Sequence, residues 1–435
     1  MWVKKIKKMM LIDKRAATKN LKIAFFIGVF PATTESWFVE QITALLDMGL
    51  DIDLFAFRQG KNEQISQKMK DYKLVDKTTY LEFPEKRISR LIRALPLVFR
   101  VLYFRPSALF EIFNIKKYGG GARSLKNLFW TAPLLGRIEK YQIIHCHFGM
   151  VANNFLIIRR ILKLKQPFVT SIYGQDSSKY IKVKGINVYN DLKKECNYFL
   201  MLTEEMRQRF IRFGFPPEKL ILFYGGVTVP NYAFQEKIYT PGTPFNIILV
   251  GRFVEKKGID DALRAIRLVH DQVPEVRFYV VGDGSSVYRE YLFALTKELK
   301  LESVVSFEGL LPHAETLRLY SRPDMHLMFQ PSRTGSDGDT DDMPYVLVEG
   351  QLCGLPVVTT AHAGIREGLI DGVTGYVVPE RDYRAAAGKI LFLIKNPQLI
   401  KEMGHKGREF AENTFDFSKI NSQLMELYKT LIKSS

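Results

Sequence analysis

The sequence predicts an α/β protein that consists of two Rossmann-like, doubly wound domains. Residues 21–28 form an apolar run, residues 35–48 carry a helical apolar pattern that ends at a glycine, and residues 51–57 alternate like a strand. This β-α-β order is typical of the start of a doubly wound sheet. A second strand, loop and helix follow over residues 247–272, and 435 residues suffice for two domains of ordinary size.

The other elements continue the alternation of strands and helices in both halves. In the first half, strands are predicted at residues 142–149, 168–176, 198–203 and 219–227, with helices at 153–164 and 204–213. In the second half, strands are predicted at residues 276–283, 304–309, 324–330, 355–360 and 373–379, with helices at 285–300, 313–321, 343–352 and 415–433.

A proline-rich stretch at residues 230–244 separates the two halves, and composition and charge both change there. Such a stretch is typical of a domain boundary. We therefore divide the chain into four segments. These are a basic tail (1–20), an N-terminal domain (21–230), a C-terminal domain (245–414) and a closing helical segment (415–435).

The net positive charge of the chain lies in its first half. Residues 1–240 hold 40 Lys and Arg against 20 Asp and Glu, whereas residues 241–435 hold 23 against 26. This asymmetry indicates an anionic partner for the first half only. The first twenty residues lack the long apolar core of a signal peptide, and no stretch approaches the length of a transmembrane helix. We therefore expect a cytoplasmic protein.

The stretch from Gly335 to Thr360 combines an acidic loop, an apolar helix and a β-branched strand. Asp341 lies in the loop and Glu349 lies on the helix, eight residues later. A carboxylate accepts hydrogen bonds from a vicinal diol, and a helix N-terminus between two such acceptors suits a diphosphate. This arrangement would fit a nucleotide-sugar. A solvated helix residue beside a polar loop is an equally open interpretation of these residues alone.

A second stretch, GRFVEKKG at residues 251–258, places Arg252 and Lys257 after a buried strand. Open α/β sheets bind ligands at the carboxyl ends of their strands. An arginine forks onto phosphate oxygens and a lysine supplies a point charge, so both residues suit a diphosphate.

Together, GRFVEKKG and SDGDTDDMPYVLVEGQLCGLPVV resemble the retaining glycosyltransferases of family GT4, most closely the subgroup that builds exopolysaccharides of the colanic-acid and amylovoran type. The resemblance extends from about residue 21 to the C-terminus and is more specific in the second half. It implies a GT-B fold, in which two Rossmann-like domains face each other across a cleft. It also implies transfer of a hexose from a nucleotide-sugar to a lipid-linked saccharide, with retention at the anomeric carbon.

The resemblance also implies roles for individual residues. Arg252 and Lys257 would hold the donor diphosphate and assist its departure, Asp341 would hold the donor sugar and Glu349 the ribose. His147, in the strand that ends His145-Cys-His147, would face the sugar and acceptor, with His145 as the second candidate. Gly282, which ends a strand, and the helix start at Met343, Pro344 and Tyr345 complete the predicted donor site.

The sequence departs from the family pattern at four positions. Asp341 replaces the usual Glu, Asp342 replaces a Gly and Gly350 replaces an Ala. Tyr173 stands where the loop Tyr173-Gly-Gln-Asp176 would usually begin with His. The first three departures affect the identity of the sugar more than the class of reaction.

No metal or other cofactor is predicted. Asp337 and Asp339 form a DxD pair, a pattern that binds Mg²⁺ or Mn²⁺ elsewhere, but Arg252 and Lys257 would already neutralise a diphosphate. The three cysteines, Cys146, Cys196 and Cys353, are widely spaced, which predicts neither a disulfide framework nor a zinc site.

Residues 86–126 combine ten Lys and Arg with one acid, Glu111, and with interleaved apolar side chains. Such a segment suits an anionic membrane surface, so we expect peripheral association with the inner face of the cytoplasmic membrane. The alternative is an ordinary helix pair whose apolar face packs into the core.

At the level of function, the alternatives are an epimerase or phosphorylase of the same fold, and a non-catalytic membrane-surface or nucleic-acid binding protein. No nucleic-acid module is recognisable, so nucleic acid is not an expected partner.

Overall fold

The computed structural model describes residues 21–32, 36–61, 65–341 and 343–433. The predicted basic tail therefore lies outside the described residues, as does Asp342. The chain divides into two compact units, of which one comprises Met1–Thr170 with Leu424–Ser435 and the other comprises Ser171–Gln423.

Two parallel sheets form among the described residues. The first contains seven strands, β1 (Lys22–Phe30), β2 (Asp51–Gln59), β3 (Thr78–Tyr80), β4 (Ile143–His147), β5 (Phe168–Ile172), β6 (Tyr198–Met201) and β7 (Leu220–Leu222). The second contains six strands, β8 (Phe245–Val250), β9 (Val276–Val281), β10 (Val305–Gly309), β11 (Met325–Gln330), β12 (Val357–Thr360) and β13 (Gly375–Val378).

Both sheets have the doubly wound strand order. The first runs β3-β2-β1-β4-β5-β6-β7 and the second runs β10-β9-β8-β11-β12-β13. In each sheet, the chain winds outward from a central strand and then returns to wind the other way, as in Rossmann folds. The predicted α/β class with two Rossmann-like sheets is therefore confirmed.

Helices connect the strands. In order they are α1 (Ser36–Asp47), α2 (Gln67–Asp71), α3 (Arg87–Phe104), α4 (Ala108–Ile112), α5 (Ile115–Tyr118), α6 (Gly120–Arg123), α7 (Lys126–Thr131), α8 (Gly149–Ile161), α9 (Gly174–Ser177), α10 (Lys179–Lys184), α11 (Asn190–Glu195), α12 (Glu204–Arg212), α13 (Ile259–His270), α14 (Ser286–Glu298), α15 (His313–Tyr320), α16 (Tyr345–Leu352), α17 (Tyr383–Lys395), α18 (Pro397–Phe415) and α19 (Phe417–Lys433). Within the described ranges, no helix combines the length and hydrophobicity that a transmembrane span requires.

The central strands are apolar because helices cover both faces of each sheet. In the second sheet, β11 is buried along its whole length and β8 is buried except at Val250. Parallel strands end at one edge of the sheet, so the loops after β8 and β11 emerge side by side. This is the point where the winding reverses, and doubly wound sheets bind their ligands there.

One difference from the sequence-based prediction links the segment after β7 to the end of the chain. The strand predicted over residues 219–227 ends at Leu222, and Val227 instead pairs with Asp416. The backbone nitrogen of Val227 donates to Phe415, and that of Phe417 donates to Val227, at 2.8 and 3.0 Å. Asp416 therefore separates α18 from α19, and the final helix, predicted to begin at residue 415, begins at Phe417. The predicted domain limits themselves stay a prediction.

Candidate functional site

The site predicted for a nucleotide-sugar lies in the second unit, after β8 and β11. The loop after β8 contains a short 3₁₀ turn, Glu255–Lys257, and the loop after β11 contains the acidic stretch up to Asp341. These loops are neighbours because β8 and β11 pair directly in the sheet. The geometry of the site therefore follows from the strand order.

Consecutive residues of the 3₁₀ turn bind the acidic loop. The carboxylate of Glu255 accepts hydrogen bonds from the backbone nitrogen and hydroxyl of Ser336, at 2.8 and 2.6 Å. Lys256 forms an ion pair with Asp339 at 3.0 Å. The turn therefore fixes the loop at two points before Asp341 is reached.

Lys257 and Asp341 form an ion pair, and Lys256 lies 3.5 Å from the same carboxylate. The three side chains are only 11–15% exposed. Burial would raise the pKa of Asp341, but the ammonium groups of Lys257 and Lys256 hold that pKa below its usual value. The structure thus joins two predicted site residues and adds a third, Lys256, that the sequence interpretation missed.

His362 supports Asp341 from the carboxyl end of β12. The backbone nitrogen of Asp341 donates to Nε2 of His362 at 3.2 Å, so Nδ1 carries the proton and faces Glu380 at 3.2 Å. His362 is 2% exposed, and burial lowers its pKa. A neutral imidazole is required for this arrangement, because a protonated Nε2 has no lone pair for the Asp341 amide.

Glu349 lies on α16, where two side chains converge on one of its oxygens. Tyr232 donates to Oε1 at 3.2 Å, and Nε2 of His313 lies 3.1 Å from the same atom. The Glu349 side chain is 14% exposed. These contacts orient the carboxylate, which excludes the interpretation of Glu349 as a freely solvated helix residue.

The start of α16 differs in detail from the prediction. The helix begins at Tyr345, and Pro344 is its N-cap. Pro344 has no N–H, so the amides that this helix end offers to an anion come from Tyr345 and the residues after it. The ring of Tyr345 extends to Gly225, where a Cβ would lie 1.4 Å from the tyrosine hydroxyl. Met343 is buried in the apolar cluster behind the helix.

Gly282 and Arg252 follow the neighbouring strands β9 and β8. Gly282 has a φ of +140°, and a Cβ there would lie 2.0 Å from the carbonyl oxygen of Gly251. This close approach requires glycine. Arg252 is exposed, and its backbone oxygen accepts a hydrogen bond from the Val254 nitrogen at 2.9 Å, whereas its side chain has no hydrogen bond or ion pair to the described residues. Its guanidinium is therefore available to an incoming anion, whereas the Lys257 ammonium is already paired.

Both aspartates of the DxD pair have partners among the described residues. The Asp339 carboxylate is paired with Lys256, and Oδ1 of Asp337 accepts the backbone nitrogen of Asp339 at 2.9 Å. Lys182 donates to the backbone oxygen of Asp337 at 2.7 Å. No group of three or more His, Cys, Asp or Glu side chains suited to a metal occurs among the described residues.

The histidine pair belongs to the first unit. His145 and His147 end β4, are fully buried, and stack with ring centroids 4.4 Å apart. Burial lowers the pKa of His145 to about 3 and also lowers that of His147. Nδ1 of His145 lies 2.6 Å from the hydroxyl of Tyr428, on α19. Both imidazoles are therefore neutral at physiological pH.

Four supporting residues were missed by the sequence interpretation. Lys256 is the neighbour of the predicted site residue Lys257, and His362 lies just after the strand predicted at residues 355–360. Their positions in the sequence could therefore have suggested both as site residues. Tyr232 and Tyr428 gave no such signal, because each reaches its partner from a distant part of the chain.

Two family models match the chain and together cover most of it. Residues 34–229 match Glycosyltransferase Family 4, and residues 232–410 match Glycosyl transferases group 1. The first match covers strands of the first sheet and the second covers the whole of the second sheet, including Arg252, Lys257, Asp341 and Glu349.

Curated relatives align over almost their entire length. The putative colanic acid biosynthesis glycosyltransferase WcaL of Salmonella typhimurium is 28% identical over 94% of this chain and 100% of its own. The amylovoran biosynthesis glycosyltransferase AmsK of Erwinia amylovora is 27% identical over the same shares.

Solved structures share the fold. HepE of Anabaena, crystallised with UDP and glucose, has a TM-score of 0.68 at 17% identity, and the match covers 94% of this chain and 99% of HepE. Sucrose-phosphate synthase of Thermosynechococcus elongatus has a TM-score of 0.65 at 18% identity, over 95% and 100% of the two chains. These likenesses confirm the GT-B class for the fold.

Proposed function

The chain belongs to the group 1 and family 4 glycosyltransferases, and we propose that it transfers a hexose from a nucleotide-sugar to a saccharide acceptor in the synthesis of an exopolysaccharide. The observation that carries the donor part is the contact of Lys256 and Lys257 with Asp341 at the reversal point of the second sheet. Two ammonium groups therefore lie beside a carboxylate that can accept hydrogen bonds from sugar hydroxyls. This position is at the edge where doubly wound sheets bind their ligands.

Each polar group of this site has a role in the proposal. Arg252 and Lys257 bind the donor diphosphate, together with the amides at the start of α16. Glu349 accepts hydrogen bonds from the ribose diol through Oε2, since Tyr232 and His313 both contact Oε1. Asp341 accepts hydroxyls of the hexose, and Gly282 allows the close backbone approach that borders the site.

When the donor binds, Lys257 exchanges its partner Asp341 for the donor diphosphate. Before the donor arrives, Asp341 neutralises this ammonium. When the diphosphate takes over that interaction, the carboxylate becomes available to the sugar hydroxyls. As the glycosidic bond breaks, negative charge grows on the leaving diphosphate, and Arg252 and Lys257 stabilise it.

The transfer proceeds with retention at the anomeric carbon in this proposal, and the acceptor attacks from the side of the departing diphosphate. His147 is proposed to act beside the sugar and acceptor. The family match supports retention, and the neutral state of His147 suits a hydrogen-bonding role. The anomer of the product, determined by NMR, tests this part, and an inverted product would contradict it.

The reaction is proposed to need no metal. The support is that Lys256 occupies Asp339 and that Arg252 and Lys257 supply positive charge for the diphosphate. Full activity in EDTA is the expected result. Loss of activity in EDTA that Mg²⁺ or Mn²⁺ restores would contradict this part while leaving the donor site in place.

The proposed acceptor is a lipid-linked saccharide at the cytoplasmic face of the membrane. WcaL and AmsK are named for colanic acid and amylovoran biosynthesis, which supports an exopolysaccharide role. The direct test is release of nucleoside diphosphate from UDP-, GDP-, ADP- and dTDP-hexoses, with membrane extract as the source of acceptor. Turnover of one donor that Lys257→Met abolishes is the expected result, whereas no turnover of any donor would favour a non-catalytic binding protein.

A further inference from the structure

The helix α3 (Arg87–Phe104), here called the basic helix, turns an apolar stripe toward solvent. Eight large side chains on it are 45–81% exposed, namely Ile88, Leu91, Ile92, Leu95, Phe99, Leu102, Tyr103 and Phe104. The first seven recur every three or four residues and therefore share one side of the helix. A surface helix normally packs such a stripe into the core, so this orientation calls for a partner.

The opposite side of the basic helix is firmly held by the first unit. Ala94 and Val101 are buried there. The guanidinium of Arg100 donates to the carbonyl oxygens of Ala132 and Leu135, at 2.9 and 2.7 Å. These contacts fix which side faces outward, so the stripe is a defined surface of the folded unit.

Exposed cations surround the start of the stripe. Lys86, Arg87 and Arg93, together with Ile88 and Ile92, line an open concavity of about 680 Å³. The one acid of residues 86–126, Glu111, is paired with Lys117 at 3.0 Å. Negative charge is thus nearly absent from the whole segment. Further along the chain, Phe110, Phe113 and Ile115 add exposed apolar side chains.

We propose that the stripe and its flanking cations form the docking surface for an anionic lipid bilayer. Apolar side chains of this size enter the boundary between headgroups and acyl chains, while Lys and Arg beside them meet the lipid phosphates. A second copy of the chain fits less well, because a symmetric pair would bring two basic surfaces face to face. This inference stands on the basic helix and does not depend on the proposed transfer reaction.

The experiment is co-sedimentation of the full-length protein with lipid vesicles. Vesicles that contain phosphatidylglycerol should pellet the protein at low salt, and added salt should weaken the binding. Vesicles of phosphatidylcholine alone should pellet little of it. Equal binding to both kinds of vesicle, or none to either, would overturn the proposal.

Two sets of variants locate the surface. L95D combined with F99D should lower binding to anionic vesicles at least about tenfold, because charged groups resist insertion. R87Q combined with R93Q should lower it about fivefold per cation removed. The matched controls are V287D, which alters an exposed apolar residue of the second unit, and K395Q combined with K406Q, which removes two other exposed cations. Both controls should bind as the wild type does.

Folding and self-association are measured on the same samples. The altered side chains are exposed, so unchanged melting temperatures are expected for L95D/F99D. If this variant pelleted with anionic vesicles as the wild type does, the stripe would be excluded as the docking surface. If the wild type instead formed a dimer that L95D/F99D dissociated, with no difference in vesicle binding, the partner would be a second copy and the proposal would be wrong.

Discussion

The Nε2 atom of His362 accepts a hydrogen bond from the backbone nitrogen of Asp341, across 3.2 Å. This contact connects the end of β12 to the backbone of the residue whose carboxylate the proposed mechanism assigns to the donor sugar. The turn Glu255–Lys257 binds the same loop through Ser336 and Asp339. Asp341 is thus positioned from two independent elements.

Removal of the His362 acceptor should weaken donor binding. His362→Leu leaves the Asp341 amide without its partner, so the KM for the donor should rise severalfold while kcat changes less. His362→Gln, whose side-chain oxygen can accept the same hydrogen bond, should restore much of the loss. Equal effects of both substitutions would contradict a positioning role for this hydrogen bond.

The pair of Lys257 and Asp341 should show strong coupling in a double-mutant cycle. Lys257→Met leaves the Asp341 carboxylate with Lys256 as its remaining cation, and Asp341→Asn removes the charge that pairs with Lys257, so each single variant should destabilise the fold by about 1–3 kcal/mol. The double variant should lose less than the sum of the two. Additive losses in thermal unfolding would contradict a direct interaction.

Substitution of Gly282 should disrupt the site, because the added Cβ would meet the carbonyl oxygen of Gly251 at 2.0 Å. We expect Gly282→Ala to destabilise the second unit by about 2 kcal/mol or more and to weaken donor binding. Gly388→Ala is the matched control. Gly388 is exposed within α17, a Cβ there meets nothing within 4 Å, and alanine should stabilise the helix by about 0.5–1 kcal/mol. Similar melting temperatures for both variants would contradict the close approach at Gly282.

Buried histidines should make stability fall in mild acid. Burial lowers the pKa of His326 to about 4 and that of His145 to about 3, whereas an unfolded histidine titrates near 6.5. Between these values the unfolded chain binds more protons than the folded chain. The stabilising contribution is therefore complete above about pH 6.5 and is lost as the pH falls toward 4 and 3.

The measurement is denaturant unfolding across that pH range. His326→Gln should flatten the dependence by on the order of 2 kcal/mol between pH 6.5 and pH 4.5. His405→Gln alters a histidine whose side chain is 51% exposed and serves as the control. A wild type whose stability did not change over this range would contradict the buried neutral state of these histidines.

The sequence predicted what depends on local pattern. The alternation of strands and helices, the helix that carries Glu349, and the position of Arg252 after β8 all follow from periodicity and from the rule that ligands bind at strand ends. The departure at Gly350 also has a local explanation, because a Cβ there would lie 2.7 Å from the side chain of Met328.

Features that depend on distant contacts were not predictable in this way. Asp416 lies between α18 and α19, where it pairs with the backbone of Val227. Val227 is almost two hundred residues earlier in the chain, so no local pattern indicates this pairing. Tyr428 reaches His145 for a similar reason. For the basic helix, periodicity indicated one apolar side but could not decide whether that side packs inward. The structure shows that the apolar side faces solvent, because Arg100 on the other side donates to carbonyl oxygens that lie beyond the helix.

The central claim is that Glu349 and Asp341 hold a nucleotide-sugar, and thermal shift with UDP-, GDP-, ADP- and dTDP-sugars tests it most directly. A ligand that binds only the folded state raises the melting temperature. We expect one nucleotide class to stabilise the wild type. That shift should be largely lost in Glu349→Ala. No shift with any donor, or the same shift in the variant, would contradict the assignment of this site.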